Sequence, residues 1–135
     1  MKITEDIINK LVRKAQQARE NAYCPYSDFP VGAAAYFENG EIVPGCNVEN
    51  ASYGGTLCAE RVAIPSGIAQ GFGKPLAVAV TSKLDTFVKP CGICRQFMIE
   101  FGPELVIICC TKKGDYELKK MKELLPEAFG PYSLE

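Results

Sequence analysis

Three cysteines and one glutamate carry the chemistry this chain can do. Cys91 and Cys94, in PCGICRQ at 90–96, are three residues apart, which puts both thiols on one face of a helix. Cys58, in CAER at 58–61, can bring a third sulfur. Thiolates bind zinc well; a structural zinc is closed by four protein ligands, whereas a catalytic zinc keeps one position for water. No fourth ligand stands out, and without a histidine in the chain it could only be cysteine or carboxylate. Three sulfurs and a gap therefore point to a reactive zinc, one per chain. The missing histidine also removes Ser-His and Cys-His nucleophiles and histidine bases. Glu60 stands two residues after Cys58, about 200° round a regular helix. Both can face one site only if Cys58 lies where the helix has not yet begun. Three thiolates outweigh the charge of Zn²⁺, which opposes ionising a bound water. Arg61 and Arg95, beside the ligands in sequence, are expected to donate to the sulfurs and draw that charge off.

These residues must be positioned by the elements around them. Ile7, Ile8, Leu11, Val12 and Ala15 have helical spacing, so a helix is expected over residues 4–20, starting at Thr4. Residues 23–30 hold two prolines and an aspartate and read as a loop. Apolar residues 31–38, a turn at Glu38, Asn39 and Gly40, and a return over 41–47 predict a hairpin, with Pro44 marking an edge or bulge. A helix is expected over 57–69, a strand over 76–81, a helix over 91–101, strands over 105–110 and 116–119, and a short helix after them. The order α-ββ-α-β-α-ββ-α implies an α/β fold: one mixed sheet with helices packed on it. With both cysteine clusters at helix N-termini, the dipoles would favour the thiolates.

The bulk numbers limit the function classes. A chain of 135 residues, 47% apolar and 23% charged, suits one globular domain spanning 1–135. Net charge is −1, and no basic run could track a phosphate backbone, which disfavours nucleic acid as partner. A small, roughly neutral ligand fits better. The charged N-terminus has no apolar stretch of a secretory signal, and the longest apolar run, 105–110, is too short for a bilayer. The chain reads as soluble and cytoplasmic, with no membrane partner. Its seven cysteines are expected to stay reduced; Cys24, Cys46, Cys109 and Cys110 are most simply small buried residues.

CAER and PCGICRQ with a non-ligand glutamate follow the logic of zinc nucleobase deaminases. Together with YCPYSDFPVGAAA at 23–35, GCNVENASY at 45–53 and ELLPEAFGP at 123–131, the chain resembles the small homotetrameric, three-cysteine cytidine deaminases over nearly its whole length. The resemblance implies a three-layer α/β/α fold with a mixed five-stranded sheet. It implies zinc-dependent hydrolytic deamination of cytidine and 2'-deoxycytidine in pyrimidine salvage. In that reading zinc-bound hydroxide attacks the amine-bearing carbon, C4, and Glu60 shuttles the protons. Asn47 and Glu49 would hold the ribose hydroxyls, within the stretch that includes Val48. Ala59 would offer its N–H to the base, Phe29 would wall the nucleoside pocket, and Phe129 would stack on the base from a neighbouring subunit. The partners are then a nucleoside and further copies of the chain, in a tetramer with shared sites. Taken alone, Asn47 could be a turn residue, Phe29 and Phe129 core, and Tyr53 part of either pocket or interface.

Two positions depart from the family. Family members carry an aromatic at Pro65; proline there, followed by Gly67, predicts a kink or an early end to the helix. Lys89 replaces a small residue, with only its carbonyl expected to face the leaving amine. Rival readings are a blasticidin-type deaminase acting on a nucleoside antibiotic, and a non-catalytic zinc-stabilised binding module.

Overall fold

The computed structural model describes residues 2–135. Helix α1 spans Glu5–Arg19. Thr4 caps it, its Oγ1 accepting from Ile7 N at 3.2 Å, and Glu5 and Asp6 in the first turn and Arg19 in the last complement the helix dipole. Its apolar stripe, Ile8, Leu11, Val12, Ala15 and Ala18, is buried. Strand β1 (Gly32–Phe37) turns back into β2 (Ile42–Cys46). The turn is made by Gly40 at φ +91° and by Asn39 Oδ1, which accepts from Glu41 N. Then come α2 (Ala59–Ala69), β3 (Pro75–Thr81), α3 (Gly92–Ile99), β4 (Val106–Cys110), β5 (Tyr116–Lys120) and α4 (Met121–Leu124). No helix among the described residues is long and apolar enough to cross a membrane.

The five strands form one sheet in the order β2-β1-β3-β4-β5. Only β3 and β4 are parallel neighbours, and Pro44 sits on an edge strand, where its missing N–H breaks no inner ladder. Strand β1 shows how the layers arise. Ala34 and Tyr36 face α1, together with Ala77, Ala79, Ile108 and Cys110. Ala33, Ala35 and Phe37 face the opposite side, in the core that holds Ala63 and Ile64 of α2, Met98 of α3 and Met121 of α4. The period of two thus feeds two cores, and the fold is the expected three-layer α/β/α arrangement.

The early end expected at Pro65 does not occur: helix α2 runs on to Ala69. Proline there forfeits one helical hydrogen bond and costs about 3 kcal/mol. It lies on the exposed side, however, while Ala59, Glu60, Ala63, Ile64 and Gly67 are buried on both sides of it. Tertiary packing of that face outweighs the local preference. Gly67 is there for fit: a Cβ would lie 2.1 Å from the Phe37 ring.

The strand directions decide where chemistry can occur. Both β2 and β3 are antiparallel to β1, which lies between them, so they point the same way. The helices that follow them, α2 and α3, consequently start at the same end of the sheet. Gly32, the first residue of β1, pairs with Cys46 and with Thr81 at that end, which brings the loop before β1 there as well.

Candidate active site

Where these segments converge, Cys58, Cys91 and Cys94 present sulfurs that all lie within 4.8 Å of one another. Cys58 Sγ and Cys91 Sγ are 3.8 Å apart. Two sulfurs at tetrahedral angles on a zinc with bonds of about 2.3 Å would be separated by roughly 3.8 Å, so the trio fits the ion. Cys58 is the N-cap of α2, with extended backbone (φ −75°, ψ 156°), which is the condition for Cys58 and Glu60 to share a site. Cys91 is the N-cap of α3, and Cys94 sits in its first turn. Two helix N-termini thus direct their dipoles at the sulfurs. A close approach fixes the first of them: a Cβ on Gly45 would lie 2.5 Å from Ala59 O and 2.6 Å from Ala63 N, so only glycine on β2 lets α2 lie this near.

Charge in the cluster is set by its neighbours. The Cys58 thiol is pulled down to about 5, first by the S–H that Cys94 donates to it and further by Arg61. Cys94, as that donor, is pushed up. Arg61 Nη2 lies 3.5 Å from Cys58 Sγ and 3.4 Å from Thr56 O. Its Nε is buried without a hydrogen-bond partner among the described residues. Arg95 does not act on sulfur: its Nε donates to Pro90 O at 2.8 Å and its Nη1 to Leu124 O at 2.9 Å. It follows Cys94 along α3, and the helical turn carries its side chain away towards the C-terminal segment. Of the two expected donors to sulfur, Arg61 reaches one and Arg95 ties the helix to the chain end.

Glu60 is 3% exposed. Burial, reinforced by the charge of Cys58, pushes its carboxyl up to about 7. A cavity of about 280 Å³ opens over it, lined by Phe29, Asn47, Cys58, Ala59, Glu60 and Lys89 among others. Small-molecule sites start at about 300 Å³, so a single nucleobase or nucleoside is of the right order. Ala59 opens α2, where N–H groups have no helical acceptor. The Lys89 ammonium turns outward, onto Glu117 and the Phe87 ring.

The remaining candidates are placed less simply. Asn47 lines the cavity, but its amide also braces the loop before β1: Nδ2 donates to Phe29 O and Oδ1 accepts from Val31 N, both at 2.9 Å. Glu49 lines an adjoining cleft with Tyr26, Ser27, Tyr53 and Thr56. Its carboxylate accepts from Tyr26 N and Ser27 N at 3.0 and 3.1 Å and from Ser27 Oγ, and these bonds, led by the hydroxyl, lower its pKa. Val48 pairs its backbone with Leu57 and lines neither space. Phe129 is 62% exposed and does not line the cavity, while its carbonyl accepts from Gln96 Nε2 at 2.9 Å. Tyr53 is exposed and tilts against Tyr26, ring centres 5.7 Å apart. Sequence reading passed over Gln96, although it stands in PCGICRQ, and Lys83, whose surroundings gave no signal. The seven cysteines form no disulfide. Cys109 and Cys110 are buried as expected, whereas Cys24 and Cys46 are only half-buried.

Comparison with known proteins follows the same outline. The family profile described as the cytidine and deoxycytidylate deaminase zinc-binding region matches residues 5–110. A cytidine deaminase of Sporosarcina psychrophila is 42% identical over 128 residues, 94% of each chain. The crystal structure of a cytidine deaminase from Burkholderia pseudomallei superposes with a TM-score of 0.85 at 44% identity, covering 93% of this chain and 99% of that one. That of a Mycobacterium tuberculosis cytidine deaminase gives 0.79 at 44% identity, over 90% and 96%.

Proposed function

The chain belongs to the cytidine deaminase family, and on that premise we propose that it hydrolyses cytidine and 2'-deoxycytidine to uridine and 2'-deoxyuridine, the whole of residues 1–135 acting as one catalytic domain. The observation that carries the reading is a buried Glu60, near neutrality, in the same cavity wall as Cys58 and Cys91.

Cys58, Cys91 and Cys94 would hold the zinc, which when bound supplies a Lewis acid that makes a water acidic near pH 7. The net reaction adds water across the amine-bearing ring carbon and expels ammonia. Glu60 takes one proton of the water and gives it to the ring nitrogen, then carries the remaining hydroxyl proton to the departing amine, leaving the carbonyl. A carboxyl whose pKa lies close to 7 can both take and give a proton at that pH. Ala59 offers its N–H to the base, and the Lys89 carbonyl faces the leaving amine. Phe29 supplies an apolar wall, while Asn47 and Glu49 meet the ribose hydroxyls with capacity left over from bracing the loop. Arg61 holds charge on the ligand sulfurs in check.

The site is completed in a homotetramer. The exposed Phe129 and Tyr53 are free to meet a neighbouring copy, as the family resemblance implies for Phe129. The net charge of −1 and the size of the cavity favour a free nucleoside over a polynucleotide. Free thiols fit a reducing compartment such as the cytoplasm.

Zinc-loaded protein incubated with cytidine should lose the cytosine absorbance as uridine forms. Glu60→Gln should retain zinc and lose about 10²- to 10⁴-fold in kcat, the usual worth of a general acid-base group. Absence of conversion by folded, zinc-loaded protein would overturn the assignment.

A further inference from the structure

Lys83 lies on the loop after β3 and reaches back to the loop before β1. Its Nζ donates to Asp28 O at 2.9 Å and stands 5.5 Å from the centre of the Phe29 ring. Asp28 adopts φ +54°, a left-handed turn conformation that aspartate accepts more readily than most side chains. The bonds on either side show how tightly the segment is specified. Phe29 N donates to Ser27 Oγ at 3.1 Å, and Phe29 O accepts from Asn47 Nδ2 at 2.9 Å. The Asp28 carbonyl between them belongs to Lys83. The Phe29 ring lines the cavity with Cys58, Ala59 and Glu60; Lys83 does not.

We propose that Lys83 is a positioning residue for substrate binding: from outside the cavity it pins the Asp28 peptide and covers the Phe29 ring, so that the aromatic wall stands preformed. This rests on reading the cavity as the nucleoside site. Lys83 touches neither Glu60 nor a ligand sulfur, so it acts on how well the nucleoside is held and leaves the proton transfers alone. A preformed wall spares the substrate the cost of ordering the loop.

The experiment compares zinc-loaded parent, Lys83→Met and Lys83→Arg. Methionine keeps the apolar stem and loses both the donor and the cation. Arginine keeps both, and guanidinium groups also sit well over aromatic rings. Lys83→Met should raise KM for cytidine about three- to tenfold, a fraction of what one exposed cation–π contact and one charge-assisted hydrogen bond are worth, because the loop keeps its bonds to Ser27 and Asn47. Its kcat should stay within about twofold, and Lys83→Arg should return KM towards the parent value. Backbone hydrogen exchange over residues 24–31 should speed up several-fold in Lys83→Met alone. Unchanged exchange in Lys83→Met overturns the proposal, as does faster exchange with an unmoved KM, which would make Lys83 a purely structural clamp. An equal fall in kcat, or a Lys83→Arg variant as impaired as Lys83→Met, overturns it too. Should the parent fail to deaminate cytidine, the functional assignment falls, and the exchange rates still decide whether Lys83 holds the loop.

Discussion

Glu60 is the one charged side chain that the fold removes from water among the described residues, and its protonation is tied to stability. In the zinc-free protein its pKa rises from 4.5 to about 7, so the folded state binds the proton more tightly than the unfolded one. That contribution is complete below about 4.5 and disappears as pH climbs through about 7, a change of roughly 3 kcal/mol. The coupled thiols shift in opposite directions, Cys58 down as acceptor of the shared S–H and Cys94 up as its donor, and add a pH dependence of their own. Subtraction separates the two. Unfolding free energies of zinc-free parent and zinc-free Glu60→Gln, measured from pH 4.5 to 8, should differ by an amount that moves against the parent as pH rises. A flat difference would mean that burial does not shift Glu60. The two arginines should also part company. Arg61→Ala removes a donor to Cys58 and should weaken zinc binding by about ten- to a hundredfold in a competition titration. Arg95→Ala leaves the Pro90 and Leu124 carbonyls bare and should cost about 1–3 kcal/mol of stability with much less effect on the metal.

Two glycines carry the contacts that set helix α2. A methyl at Gly67 meets the Phe37 ring, a side chain that can be trimmed. Gly67→Ala should cost about 1–3 kcal/mol through overpacking, and Phe37→Leu in the same chain should recover part of it. A methyl at Gly45 meets Ala59 O and Ala63 N, backbone that cannot yield without shifting Cys58 and Glu60. Gly45→Ala should therefore lose both thermal stability and zinc, whereas Gly67→Ala should lose stability alone. Neither role was legible beforehand, because the partner of each glycine lies far along the chain. What could be read were features whose cause is local. The Thr4 cap, the turn at Asn39 and Gly40, the stripe of α1 and the placing of Cys58 ahead of its helix each follow from a few neighbouring residues. Pro65 shows the complementary case: local propensity allows an early end there, and burial of residues on both sides of it carries the helix on to Ala69. Arg95 was misassigned because adjacency to Cys94 says nothing of where a helical turn sends the side chain.

At the scale of the molecule, one topological fact gathers the site: β2 and β3 run the same way, so α2, α3 and the loop before β1 meet at one end of the sheet. The C-terminal segment joins them through Gln96 and Arg95, yet Phe129 is exposed and does not line the cavity. If a neighbouring copy receives its ring, subunits can share their competence. Phe129→Ala and Glu60→Gln, each impaired alone, should regain activity when refolded together, since a mixed assembly holds sites with an intact Glu60 and an intact Phe129. Deamination rates no higher than the sum of the separate proteins would exclude sharing. The sulfur trio has a further consequence as polymer physics. Cys58 and Cys91 are 33 residues apart in sequence, and an ion gripped by both closes that stretch into a ring. A cross-link of this span deprives the unfolded chain of about 4 kcal/mol worth of entropy. The reactive metal therefore doubles as a staple between the two helix starts, so its escape and the opening of the fold become a single coupled event.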